Sequence, residues 1–238
     1  MSLALAHKRR VQAEGPAVAA RAGAGTAVYS AATALSSPAN AKKHLKLMED
    51  ALAQDLERVS AINSRELRQQ LKRDELLPKY LDYVQRYRDS GLSFPNSVVM
   101  QVLVWLFDTV QFEAGLDLAD FAMAQNQLMP ERFKRDVPTF VADAVIEWAE
   151  AEQKAGRSPE PYVSDLLPRV DGEWELTEQI PAKYHKLLGI RALNAKEWAK
   201  AITHFERANQ LHDGIGVGTR LEGARKALAK ELANKAAE

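Results

Sequence analysis

VVMQVLVWLFDTVQFEAGLDLADFAMAQNQLMPERFKRDVPTFVADA, residues 98–144, is the stretch whose reading decides the fold. From Val98 to Phe107 nearly every position is apolar, which on a helix means burial on most sides rather than along one stripe. The spacing predicts the most buried helix of the chain here. After Asp108 the order Phe112, Gly115, Leu116, Leu118, Ala119, Phe121, Ala122 sets large residues beside small ones at helical spacing, so a second helix can pack closely on the first. The pair reads as a helical hairpin. It ends on Leu128, Met129 and Pro130, and a basic loop of Arg132, Phe133, Lys134 and Arg135 leads into a third, amphipathic helix over Pro138–Ala155.

Composition points the same way. The chain has 238 residues, is rich in Ala, Leu, Glu and Lys, and has few long β-branched runs, so the expected class is all-α: helical hairpins, a flexible basic N-terminal arm and a C-terminal helical module. It has no cysteine, which excludes disulfides and thiolate metal sites, and no apolar run of membrane length or secretory type. A cytoplasmic protein that makes no membrane contact is expected.

The net charge is zero but uneven. Up to residue 46, Lys8, Arg9, Arg10, Arg21, Lys42, Lys43 and Lys46 face Glu14 alone, so the remainder is acidic. Residues 1–37 read as an arm, because 11–37 hold almost no large side chains to offset the entropy of ordering. Lys8, Arg9 and Arg10 at its tip suit phosphate contacts through counterion release, or form an ordinary solvated tail.

A helical core and oligomerisation domain is expected over 38–155. It should open at Ser37-Pro38, a cap followed by a first-turn proline. Leu45, Met48, Leu52, Leu56, Val59 and Ile62 then form a narrow stripe like a coiled-coil seam, which needs a partner within the chain or in a second subunit. A second helix begins near Asn63-Ser64, and Pro78 is expected to break or kink it. Its face of Arg65, Arg68, Lys72 and Arg73 either meets DNA in a helix-turn-helix manner or is a solvated face. Residues 156–180 read as a linker, GRSPEP, and an irregular piece. Over 181–238, Leu188-Gly189, Trp198, Ala201, Phe205 and Ala208 fall at the spacings of one tetratricopeptide-like helix pair, capped by a last helix from Thr219.

Catalytic motifs are missing. Without a Gly-Lys dipeptide there is no P-loop, and neither H-E-x-x-H nor G-x-S-x-G occurs. Gly214, Gly216 and Gly218 follow a helix rather than a strand, so they read as a helix end, and no cofactor is expected. His204 and His212, lacking a third ligand at suitable spacing, read as surface or packing residues, and no metal site is expected. Among the acidic residues Asp108, Glu113, Asp117 and Asp120, the pair Asp117 and Asp120 is the weak candidate for a metal-dependent nuclease; the alternative is a solvated helix face.

The order DELLPKYLDYV, VLVWLFDTVQFEAGLDLADFAMAQNQLMP, the basic loop with VPTFVADAV, and KYHKLLGIRALNAKEWAKAITHFERANQL resembles the small terminase subunit of temperate phages with contractile tails, over roughly residues 40–230. The Ala/Gly spacer after Lys8-Arg9-Arg10 is longer than the short basic start usual there. The resemblance implies a protein that binds the cohesive-end region of double-stranded viral DNA in the bacterial host cytoplasm. Such a protein forms a homo-oligomer, possibly a ring, and delivers the DNA to a large subunit carrying the ATPase for packaging into the capsid. It also implies an endonuclease-subunit label, at odds with the lack of a convergent carboxylate set; a regulatory, non-catalytic role is expected. The rival class is a helical adaptor that binds only protein.

Overall fold

A computed structural model describes residue 35 and residues 37–237 of the chain, and among these there is no strand: the protein is all-α. In chain order the helices are α1 (Pro38–Ala61), α2 (Arg65–Leu71), α3 (Leu77–Asp89), α4 (Ser97–Asp108), α5 (Phe112–Ala124), α6 (Val137–Lys154), α7 (Tyr162–Pro168), α8 (Gln179–Asn194), α9 (Trp198–Leu211) and α10 (Gly218–Ala237). No helix among the described residues is long and apolar enough to cross a membrane. Lys8, Arg9, Arg10 and nearly all of the 1–37 arm lie outside the described residues.

Every residue of α4 from Val98 to Phe107 is buried. A helix without a polar face has to be covered on all sides, and α1, α3, α5 and α6 supply the cover. The α4–α5 hairpin closes tightly because Gly115 has no side chain. A Cβ there would lie 2.9 Å from the Phe107 ring.

The starts of the helices follow local chemistry. The Ser37 hydroxyl accepts from the Asn40 amide ahead of Pro38, and Ser64, Asn96 and Asp136 cap α2, α4 and α6 in the same way. Pro78 does not break its helix as expected. A π turn over Lys72–Leu76 widens the register just before it, with the Leu77 amide reaching the Lys72 carbonyl, so a residue that lacks an N–H is accommodated and the chain stays helical from α2 through α3.

The seam on α1 is covered from within the chain. Leu52 and Val59 are buried in the main core, and Leu45, Met48 and Leu56 pack against it. The stripe contains a residue that apolar spacing cannot show: Asp55, only 3% exposed, accepts from Lys79 Nζ at 2.6 Å, the Tyr80 hydroxyl at 2.7 Å and Arg58 at 2.8 Å. Burial pushes its pKa up, but these hydrogen bonds outweigh it and hold the carboxyl below its ordinary range. The charge is thereby spent tying α1 to α3.

The stretch 156–180 is neither a linker nor irregular throughout. Val163, Leu166 and Val170, at helical spacing on α7 and the π turn of Arg169–Glu173, are buried in the main core. Pro168 does not prevent this, because α7 passes into a wide turn directly after it. The expected division at residue 181 also falls inside α8. That helix gives Ile180, Tyr184 and Leu187 to the main core and Ala192 to a second cluster with Ala201, Phe205 and Ala208 of α9 and Ala224 of α10. The Tyr184 hydroxyl donates to the Ala142 carbonyl of α6 at 2.9 Å, which fixes α8 to the core.

Gly189 of α8 faces the Phe205 ring so closely that an added Cβ would lie 2.6 Å from it. Gly189→Ala should therefore force α8 and α9 apart, at a cost of about 1–3 kcal/mol. Thermal unfolding would show this as a lower midpoint, recovered in part by Gly189→Ala with Phe205→Leu; an unchanged midpoint would mean the ring has room to yield.

Candidate nucleic-acid interface

The basic loop after α5 is held at both ends. Gln127 is buried, accepts from the Asn96 amide at 2.8 Å and donates to the Phe94 carbonyl at 2.8 Å, and Asp136 caps α6. Between these anchors Arg132 donates to Gln101 Oε1 of α4 at 2.6 Å and lies 4.8 Å over the Phe133 ring. Burial lowers the Arg132 pKa and Asp108 partly offsets that, though a guanidinium stays charged at neutral pH. Phe133 meets Phe140 edge-on at 5.4 Å, and Phe140 meets Phe107 at 5.5 Å. The loop is thus stitched to α6 and to the end of α4 through aromatic rings.

This loop, α2 and α6 enclose a cleft of about 720 Å³. Arg65 and Gln69 line it from α2; Arg132, Lys134 and Arg135 line it from the loop; Phe140, Trp148 and Glu147 line it from α6. Its four cations oppose three carboxylates, Asp108, Asp143 and Glu147. Asp108 is already paired with Lys72 at 2.7 Å, and Asp143 with Arg135. Arg65, Arg132 and Lys134 enter no ion pair among the described residues; Arg132 is engaged by Gln101 and the Phe133 ring, so Arg65 and Lys134 are the charges left to meet an anion.

The basic face of α2 is only partly available. Arg65 lines the cleft, and Arg68 is half-buried without an ion pair among the described residues. Lys72, its side chain 11% exposed, is held by Asp108, and Arg73 pairs with Asp74 at 3.4 Å. Asp117 and Asp120 do not converge on one point. Arg88 holds Asp117 at 2.5 Å and pulls its pKa below the ordinary carboxylate range, while Arg169 holds Asp120. Among the described residues no group of three or more His, Asp or Glu side chains is placed to bind a metal ion. The convergence of Arg65 with the loop was not legible beforehand, although Arg-Phe-Lys-Arg, with an aromatic set among cations, was the available signal.

The model of the phage small terminase subunit family matches residues 50–179. The chain belongs to the phage small terminase subunit family. It is 35% identical over 189 residues to the "Probable terminase, endonuclease subunit" of Haemophilus phage HP1 (strain HP1c1), covering 74% of this chain and 67% of that protein. It is 29% identical over 171 residues to the "Terminase, endonuclease subunit" of Escherichia phage P2, covering 72% and 69%. No solved structure matches it. The family match contains every residue that lines the cleft of this small terminase subunit.

Beyond the matched span lies a histidine pair that sequence spacing did not reveal. His204 meets His185 of α8, Nδ1 to Nδ1 at 3.0 Å, rather than acting with His212. His185 Nε2 lies 3.0 Å from Asp171 Oδ2, and Arg207 clamps the same carboxylate at 2.9 and 2.6 Å. A carboxylate can only accept, so His185 carries its proton on Nε2, and His204 must donate from Nδ1 to the bare Nδ1 of His185. Both rings are then neutral and satisfied. Burial and the neighbouring His185 and Lys200 push His204 down to about 4; burial lowers His185 despite Asp171.

A histidine whose folded pKa is depressed leaves the unfolded chain binding more protons between that value and its ordinary 6.5. Stability should thus fall as pH drops from 6.5 towards 4, by on the order of 1–3 kcal/mol from this pair. Urea unfolding across that range tests it: His204→Gln should flatten the pH dependence, and an equally steep curve for the variant would place the titration elsewhere.

Proposed function

We propose that this small terminase subunit binds the cohesive-end region of double-stranded viral DNA in the host cytoplasm and delivers it to the large, ATPase-bearing subunit for packaging into the capsid. The observation that carries the reading is the cleft in which Arg65 and Lys134, free of ion pairs among the described residues, stand beside aromatic side chains. Phosphates are bound by cations that are not already neutralised, and each such contact releases counterions. Arg68 extends that surface, and Lys8, Arg9 and Arg10 would add contacts from the arm. Leu52 and Val59 are covered within the subunit, whereas Leu45, Met48 and Leu56 of the same stripe are only partly buried, so a homo-oligomer such as a ring would use the open part of that stripe or other surfaces.

Arg65→Ala with Lys134→Ala should weaken duplex binding at every sequence and reduce the steepness of the log affinity against log salt plot by up to about 0.9 per lost contact. Fluorescence anisotropy over a salt series measures both. An adaptor that binds only protein would show no salt-dependent DNA affinity at all.

The printed names of the two phage relatives favour a second reading, that the chain itself cuts DNA. Cleavage by metal ions needs carboxylates that converge, whereas Asp117 and Asp120 are each neutralised by a different arginine. We therefore assign cutting to the large subunit, under regulation by this one. The purified chain with Mg²⁺ or Mn²⁺ and cohesive-end DNA is expected to bind without nicking. Specific nicking that is lost in Asp117→Ala or Asp120→Ala would restore the endonuclease reading.

A further inference from the structure

We propose that the cleft between α2, the basic loop and α6 holds an unpaired nucleotide of a DNA strand, its base against the aromatic wall and its phosphate on Arg65 and Lys134. The inference rests on the reading of this cleft as a DNA interface and names what enters it.

The wall is the first reason. A cleft for duplex phosphates needs cations and hydrogen-bond donors, because the base faces of an intact duplex are stacked on one another and out of reach. Phe133, Phe140 and Trp148 line this one as well. Aromatic side chains beside cations are the arrangement that binds single strands, where exposed base faces stack on rings and cations follow the backbone. The second reason is size. About 720 Å³ lies within the roughly 300–1,000 Å³ of sites that enclose small molecules, which a nucleotide fits, whereas a convex duplex reaches only the exposed Arg65 and Lys134 and not the recess behind them.

The third reason is an acceptor with nothing to accept. Glu147, exposed on the α6 wall and in no ion pair among the described residues, is that acceptor. Adenine, cytosine and guanine carry exocyclic amino groups that donate to such acceptors; thymine does not. The cleft should therefore favour an unpaired amino-bearing base over thymine.

The test uses the full chain and fluorescence anisotropy with one duplex in three forms: blunt, with a short unpaired adenine overhang, and with a thymine overhang. The adenine overhang is expected to bind about tenfold tighter than the blunt end or more, with thymine between them, in line with the stacking strength of a single base. Phe133→Ala should erase that preference, read as the ratio of overhang to blunt affinity in the same variant, because Phe133 also packs the loop that carries Lys134 and its loss shifts blunt-duplex affinity too. Phe133→Leu, which keeps apolar bulk but has no ring, should do the same and guards against a folding defect.

Equal binding of blunt and overhanging duplexes would overturn the nucleotide site and leave the DNA interface standing, as would a preference that survives both Phe133 variants. Absence of binding to all three forms would remove the interface and this site together. Competition by millimolar deoxyadenosine monophosphate without any overhang preference would show a free-nucleotide site instead, and would overturn the strand assignment.

Discussion

A helix that offers no polar face to water sets the conditions for everything around it. Ten consecutive buried residues, Val98–Phe107, cannot lie at a surface, so each side of α4 must be met by another helix. The neighbours must in turn solve the polar problems that such cover creates. On α3 the solution is a row of tyrosines, Tyr80, Tyr83 and Tyr87, whose rings are buried and whose hydroxyls are all bonded: to Asp55, to Asn96 Nδ2, and to the Phe94 carbonyl with Gln125. Asn96 serves twice, capping α4 through its carbonyl oxygen and meeting Tyr83 through its amide. Removal of one of these groups would leave a polar atom unpaired in the core, which costs more than the bond itself contributes.

The cleft lies where this enforced cover ends. Phe107 is the last buried residue of α4 and lines the cleft, and its ring is clamped between Gly115 on one helix and Phe140 on another. The turn that follows places a β-branched residue in a left-handed conformation. Val110 sits at a φ of 60°, in the left-handed region, and completes a helix-ending motif in which the Gln111 amide reaches the Leu106 carbonyl. Gly156 and Asn126 close α6 and α5 in the same manner with residues suited to it; a β-branched valine is not, and the conformation costs on the order of 1–3 kcal/mol. Val110 is also half-exposed, on the rim of the cleft.

Local signals carried most of the fold. Ser37, Ser64 and Asn96 cap where hydroxyl or amide side chains precede apolar periodicity, and the α4–α5 hairpin follows from unbroken hydrophobicity next to small residues. What could not be read were features that depend on elements distant in the chain. The stripe of Leu52, Leu56 and Val59 looks the same whether its partner is another helix of the chain or another subunit, and Asp55 looks solvated until Lys79 and Tyr80 are brought to it. Pro78 misleads because the π turn beside it absorbs what a regular helix would not. For the site, the loop cations were visible, but their meeting with Arg65 was not. The His185–His204 pair lies on the two helices whose spacing was visible, but Asp171, which fixes its protons, comes from outside that helix pair.

The charge balance of the cleft separates attraction from recognition. With four cations against three carboxylates, and a chain of zero net charge, the described surface around it generates little long-range pull on a polyanion. A protein that relied on Coulomb attraction alone would leave Asp108, Asp143 and Glu147 out of such a site. Here Lys72 and Arg135 neutralise Asp108 and Asp143, Arg132 is held by Gln101, and Arg65 and Lys134 remain without a partner beside the rings. On the proposed reading, these two charges would position a phosphate and add to duplex binding, while ring contact and the Glu147 carboxylate would discriminate at short range. On that reading, long-range attraction would come chiefly from where basic residues outnumber acidic ones, the first 46 residues of the chain.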